Sequence, residues 1–598
     1  MLFFASAAAR ITPAAAEERG LDRSSGLLLS PRSPRPGGSL RVLASLETAP
    51  REVRIQVAGP AGVLKAVRTK TGGGPPFWQA AEFQISQPGR YTVAVEKDGR
   101  RAGGAEFSVP PPDQDAAAAR TPGIWTSERG WTRADENLYA AWLEALFQDC
   151  DERASWPSLH DALDDPGRNL LFDHLGLGED DPGGPGRVQM TPDCADNPFY
   201  LRAYFAWKTG LPFGYFAASW GSLGEAPRAL DWRTNETPAA PGAKPAQAFG
   251  RMLTAVKDTV HAGNGRTAFK DDRSDYYPLP LSRKDLRPGA VYADPYGHTL
   301  TVVRWVPQAA KKPGLLLAVD AQPDGTIGIK RFWPGNFLFN TKEVVGEPGF
   351  KAFRPIVLLG GRPRLLTNEE IRKSPDYGNY SVEQEKMPAE AFYAAMEKLV
   401  NPDPLDAEVA FRDLFQALHE QLIVRVDSVG NGEKYMKAHP GTVIPMPAGG
   451  AAVFQTTGLW EDFSTPNRDL RLLIAIDTIL GFPDKAVKDP RAFGIAGTRA
   501  PDRIKDDLQA LQKKWASELT ITYTRSDGSP QVLTLGDVLG RKEAFEMGYN
   551  PNDGAEIRWG APEGSAERAP CRRRAPASQI ERMKAMRKWF QARLHPAT

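Results

Sequence analysis

Thr191-Pro192-Asp193-Cys194-Ala195-Asp196-Asn197-Pro198-Phe199-Tyr200-Leu201-Arg202-Ala203-Tyr204-Phe205-Ala206-Trp207-Lys208-Thr209-Gly210-Leu211-Pro212-Phe213 is the stretch on which the fold turns. Turn-forming and capping residues lead into roughly three turns of helix, and Gly210 and Pro212 are stop signals. Cys194 therefore falls at or just before a helix N-terminus. The unpaired N–H groups there carry partial positive charge, which favours thiolate over thiol and predicts a cysteine of lowered pKa. Pro198 works against this, because it pushes Asn197 away from helical geometry. A helix that begins only there leaves Cys194 outside the first turn. A lone cysteine is more often a small buried hydrophobe than a nucleophile, so the reading needs a partner for it.

The partner is His298. It lies in Leu286-Arg287-Pro288-Gly289-Ala290-Val291-Tyr292-Ala293-Asp294-Pro295-Tyr296-Gly297-His298-Thr299-Leu300-Thr301-Val302-Val303, where a glycine turn delivers it to the start of an alternating strand. A thiol nucleophile needs a proton carrier, and an imidazole in turn needs an acceptor to fix its tautomer. The next apolar strand ends in Val319-Asp320, and Asp320 is the candidate acceptor; Asp294 and Asp324 are its rivals, and His261 is the rival base. An oxyanion hole would join the Cys194 N–H to one more donor, for which Gln189 is the candidate.

Asp193-Cys194 before a helix, then Leu286-Arg287-Pro288-Gly289 and Gly297-His298-Thr299-Leu300-Thr301-Val302-Val303, resemble the paired signatures of NlpC/P60 peptidases. The helix ending in Gly210-Leu211-Pro212, with Asp320 as third member, resembles equally the transglutaminase-like branch of the same papain-like superfamily. The resemblance covers roughly residues 190–325. It implies a papain-like cysteine hydrolase that cuts amide bonds in cell-wall (peptidoglycan) stem peptides, with no metal or cofactor. Acyl transfer through the same thioester, or a non-catalytic envelope binding or assembly protein that keeps the fold alone, are the alternatives. One departure stands out: Ala195-Asp196 follows the cysteine where NlpC/P60 proteins usually carry Ser-Gly. Residues 221–285, rich in Pro and Gly, read as an insertion that roofs the cleft.

Outward from this core, residues 39–110 alternate apolar and polar residues with turn signals between the runs, which predicts a small immunoglobulin-like β-sandwich. Residues 21–38, ending in Ser-Pro-Arg-Ser-Pro-Arg-Pro-Gly-Gly, and residues 111–120, opening on Pro111-Pro112, read as linkers. The catalytic core is placed at 121–360 with helices first and strands after, an α+β order. Residues 361–598 read as mostly helical, with apolar stripes at 388–400, 405–424, 468–481 and 503–516 and one hairpin turning at Asp527-Gly528. The last helix, about 578–594, pairs a Met- and Phe-bearing stripe with Arg and Lys. Docking on its own domain is the expected use of that stripe, and peripheral contact with an anionic envelope surface the other.

A chain of 598 residues is too long for one core, and 41% hydrophobic with 25% charged residues is ordinary globular composition. A formal charge of +2 gives no global attraction to nucleic acid. No run is long and apolar enough to read as a transmembrane segment. Residues 1–20 fit a signal segment, which predicts a periplasmic or secreted protein; a cytoplasmic one is the alternative. The three cysteines, Cys150, Cys194 and Cys571, make no zinc pattern, and no His-Glu-x-x-His or P-loop is present. Export would permit a Cys150–Cys571 bridge that leaves Cys194 free.

Overall fold

The computed structural model describes residues 23–111, 123–309, 312–454, 458–495 and 500–596. It is a mixed α/β, α+β molecule with several sheets and many helices. The expected signal segment lies outside the described residues, as does nearly all of the second expected linker.

The N-terminal part is a pair of four-stranded antiparallel sheets. Period-two alternation puts Leu40, Val42, Val57, Phe83, Ile85, Val93 and Val95 between them, each at most 1% exposed. The sandwich begins earlier than its sequence pattern suggests. Gly26–Ser30 is a strand that pairs antiparallel with Ser39–Leu46, so the segment read as a linker from 21 to 38 supplies an edge strand. Polar contacts also seat the sandwich on the central part of the chain. Glu47 takes both guanidinium nitrogens of Arg287 at 2.9 and 2.5 Å and the Asn137 amide at 2.9 Å. Trp78 donates its indole N–H to Glu144 at 3.2 Å.

The central element is a seven-stranded antiparallel sheet. In chain order its strands are β1 (Ser155–Trp156), β2 (Tyr276–Pro278), β3 (Val291–Ala293), β4 (Thr299–Val306), β5 (Leu315–Ala321), β6 (Ile327–Arg331) and β7 (Gly349–Phe353). Their order across the sheet is β2-β7-β3-β4-β5-β6-β1. Alternation divides the side chains between two cores. Val303, Leu317, Val319 and Ile329 pack on one face beneath helices α1 (Arg133–Phe147) and α2 (Asn197–Thr209). Leu300, Val302, Leu316 and Ala318 pack on the other, against Ile371, Phe392 and Met396. Those last three belong to helices Asn368–Lys373 and Ala389–Val400, so the layer around the sheet runs to about residue 400 and not to 360.

Helix α2 is buried on almost every side, and its two buried cations are paired, Arg202 with Glu136 and Lys208 with Glu179 and Asp180. Trp207 stacks on Phe249 of helix Pro245–Lys257 with centroids 4.1 Å apart, a contact worth about 0.5–1.5 kcal/mol beyond area burial. Residues 221–285 are therefore no detachable roof. They supply a helix packed on α2 and the edge strand β2.

Beyond residue 400 the chain is mostly helical, led by α3 (Ala407–Ala438) and α4 (Pro466–Lys488), with the hairpin Thr520–Thr524/Pro530–Thr534. The final helix, Ala577–Ala592, buries Met583, Met586 and Phe590 in this region's own core, where Phe590 stacks on Tyr549 at 4.9 Å. Among the described residues no helix is long and apolar enough to cross a membrane.

Candidate active site

Cys194 sits in the turn immediately before α2, which begins at Asn197. Asp193 organises this turn: its Oδ1 accepts from the N–H groups of Ala195 at 2.8 Å and Asp196 at 3.2 Å. Its carbonyl accepts from Asn197 N–H at 3.0 Å. The expected dipole-lowered thiol is not what results. Burial pushes the Cys194 thiol well up, and the carboxylates of Asp193, Asp294 and Asp320 push it further. Pro198 does not keep Asn197 out of the helix as expected: Asn197 is the first residue of α2 and Asp196 before it is already helical, yet Cys194 lies ahead of both, where the carboxylates close around it. Burial and these carboxylates thus favour the neutral thiol.

Two contacts fasten it to the start of β4. The thiol donates to the Gly297 carbonyl at 3.8 Å, and the Thr299 hydroxyl donates to the Cys194 carbonyl. His298 lies between those two anchors. Its Nε2 is 3.1 Å from Asp320 Oδ2. Burial acts to raise the Asp320 carboxyl, but Lys330, His298 and Arg468 outweigh it and leave it below its ordinary value. An ionised carboxylate can only accept, so Nε2 carries the proton of this bond, and in the neutral imidazole the lone pair is then on Nδ1, the tautomer a general base needs. Gln322 braces the same oxygen, donating to Asp320 Oδ2 at 2.7 Å while its own Oε1 accepts from Arg468 at 2.9 Å.

The turn that presents His298 is built on Asp294. Asp294 Oδ1 accepts from the N–H groups of Tyr296 at 2.8 Å and His298 at 2.9 Å, and its N–H donates to the His298 carbonyl at 2.9 Å. Its Oδ2 pairs with Arg471 of α4. Thus Asp294, a rival for orienting acid, shapes the backbone instead.

Cys194, His298 and Asp320 line one cavity of about 800 Å³. The sheet face around Asp320, Gly328 and Lys330 forms one wall; α3 and α4 form the other, through Gln421, Arg468 and Arg471 among others. The other sequence candidates fall elsewhere. Gln189 is exposed, turned outward between buried Val188 and Met190, and is not among the cavity-lining residues, so it is no oxyanion donor here. His261 lines the cavity, but both its nitrogens are engaged: Nε2 with the Ala218 carbonyl at 2.9 Å and Nδ1 with Gly263 N–H at 3.0 Å. Asp324 is exposed and caps Thr326 N–H at 3.0 Å. Cys150 and Cys571 are free rather than bridged; Cys150 accepts from Arg168 at 3.2 Å and Cys571 donates to the Arg573 carbonyl at 3.5 Å.

Four residues that sequence reasoning passed over belong to the site: Thr299, Gln322, Arg468 and Arg471. Gln322 could have been found, since a residue two after Asp320 at a strand end shares its side. Arg468 and Arg471 have (i, i+3) spacing on one helix face, a pattern too common to single out. Among the described residues no group of three or more His, Cys, Asp or Glu side chains stands where it would hold a metal ion. The chain matches no protein-family model and no curated protein.

Proposed function

We propose that this chain is a cysteine-dependent amide-bond hydrolase with a papain-like core, preceded by an immunoglobulin-like sandwich. The observation that carries the reading is the bracketing of Cys194 by Gly297 and Thr299, with His298 between them and bonded to Asp320 in one cavity. That order of helix-end thiol, strand-borne imidazole and adjacent-strand carboxylate supports the likeness to NlpC/P60 and transglutaminase-like enzymes.

The chemistry follows from the tautomer. As Cys194 Sγ attacks the amide carbonyl carbon, its proton passes to His298 Nδ1, so the thiol need not be ionised beforehand. The tetrahedral intermediate collapses to a thioester while His298 returns the proton to the leaving amine. Water then attacks the thioester carbonyl, losing a proton to the same nitrogen; the C–S bond breaks, the carboxylic acid is released and the proton returns to restore the thiol. Asp320 stabilises the imidazolium formed in both steps.

Cell-wall stem peptide is the proposed substrate and the periplasm or exterior the proposed setting, both on the resemblance of the motifs. The cavity is large enough for a peptide-sized ligand. The raised thiol favours one rival, an envelope binding protein that keeps the fold without turnover. Incubation of the purified chain with peptidoglycan sacculi, reading newly released amines, separates the two. Release by wild type and none by Cys194→Ala is the expected result; release that survives Cys194→Ala ends the assignment, and none from either protein favours the rival.

A further inference from the structure

The cations of the cavity wall are not all accounted for by the protein. Arg331 is shared by Glu152, Asp413 and Glu420, Arg425 is paired with Asp469, and Arg471 with Asp294. Arg468 differs. Among the described residues no carboxylate lies within the 4.0 Å of an ion pair, and Asp324 and Asp320 act on it only from farther away. Its one side-chain hydrogen bond goes to Gln322 Oε1 at 2.9 Å. A guanidinium has five N–H donors, and a partly buried one left without an anion is costly.

Its direction is fixed. Gln322 is locked by its amide on Asp320, so its oxygen must face Arg468, and the fork is held where it stands. Arg468 also lies in the first turn of the 23-residue helix α4; Ser464 and Thr465 just before that helix and Asn467 within it line the cavity too. The positive end of that helix adds to the guanidinium field.

We infer that Arg468 is a carboxylate-binding subsite: the substrate cut at Cys194 carries a carboxylate that docks on this guanidinium, beyond Asp320. A planar fork with free parallel N–H groups matches a carboxylate in bidentate fashion, which a lysine cannot reproduce. The inference rests on the hydrolase reading and names its substrate class as acidic.

Thiol reagents of graded reach test it on the full chain. Maleimidoacetate, 3-maleimidopropionate and 6-maleimidohexanoate are compared with their methyl esters for modification of Cys194, followed by mass spectrometry. The acid-to-ester rate ratio is taken within each variant, so changes in thiol reactivity cancel. In wild type at least one acid reacts saturably and about tenfold faster than its ester. Arg468→Gln brings that ratio to about one, and Arg468→Lys keeps part of it. Equal rates at every length in wild type, or a preference that survives Arg468→Gln, overturns the subsite. Glutarate, tested against glutaramide for a shift in Tm, gives a readout that needs no reactive thiol: stabilisation by glutarate alone, lost in Arg468→Gln, is expected, and no difference overturns the proposal. The hydrolase reading fails separately, through N-ethylmaleimide modification that ignores His298→Ala.

Discussion

Arg471, on a helix of the C-terminal region, ion-pairs with Asp294, the residue that shapes the turn presenting His298. The two are 177 positions apart in the chain. Asp294 spends one oxygen on the N–H groups of Tyr296 and His298 and the other on Arg471, whose guanidinium also donates to the Asn336 carbonyl at 3.0 Å. From the same region His595 stacks on Tyr296 with centroids 5.0 Å apart. The C-terminal region thus holds the turn that presents His298 as well as walling the cavity.

Arg471 is therefore a positioning residue. Burial alone would raise the Asp294 carboxyl, but Arg471 and His298 hold it below its ordinary value. Arg471→Met leaves that buried carboxylate unpaired, so it takes up a proton at higher pH and loosens the turn. We expect kcat to fall about tenfold or more with KM little changed, and the acid limb of the rate profile to move to higher pH. Arg471→Lys restores part of both. A pH–rate series on the three proteins checks this; an acid limb that stays put would show that the pair merely braces the fold.

Asp196 is expected to make the stability of the protein fall with rising pH. Burial, then Asp193 beside it, pushes its carboxyl up to about 8, and Oδ1 has no hydrogen-bond partner among the described residues. In the unfolded chain it titrates near 3.9. A raised carboxyl contributes stability that is complete below about pH 4 and is lost as pH rises through about 8. Between those values the slope is at most about 1.4 kcal/mol per pH unit. Asp196→Asn removes this contribution, so Tm measured from pH 5 to 9 should decline less in the variant than in wild type.

Glu47 has the opposite sign. Burial would raise its carboxyl, yet the bidentate pair with Arg287 outweighs burial and holds it down to about 2. The stability it confers is present above the ordinary glutamate value near 4.3 and is lost as pH falls toward about 2. Glu47→Gln keeps the shape and removes the charge; we expect a loss of about 2 kcal/mol at pH 7 that shrinks in acid, read by urea unfolding at pH 7 and pH 3.

Cys194, His298 and Asp320 were legible in the sequence because each carries a local signal. A capped helix entry, a glycine turn before an alternating strand and an acid closing an apolar run all depend on neighbours a few residues away. The contribution of α4 was not legible: Arg468 and Arg471 meet the core only through tertiary packing, and their helix reads as any amphipathic one. The thiol's resting state was misjudged for the same reason. Burial comes first among the causes, and Asp294 and Asp320, which raise the thiol further, are about a hundred residues downstream. Strand Gly26–Ser30 escaped notice because five residues followed by Pro- and Gly-rich sequence give too short a period-two signal. The boundary at 360 fell short because the helices that cover the sheet face follow it in the chain.

The most direct test of the account is the rate at which iodoacetamide alkylates Cys194 in wild type and in His298→Ala, followed by mass spectrometry from pH 6 to pH 9. A thiol held neutral by burial and carboxylates loses its proton at neutral pH only to the imidazole. Wild type should therefore label about tenfold or more faster than the variant at pH 7, and the variant should remain the slower up to pH 9, because its thiol titrates above the ordinary value near 8.5. Equal rates across the whole range would mean that His298 does not serve Cys194, and would contradict the account.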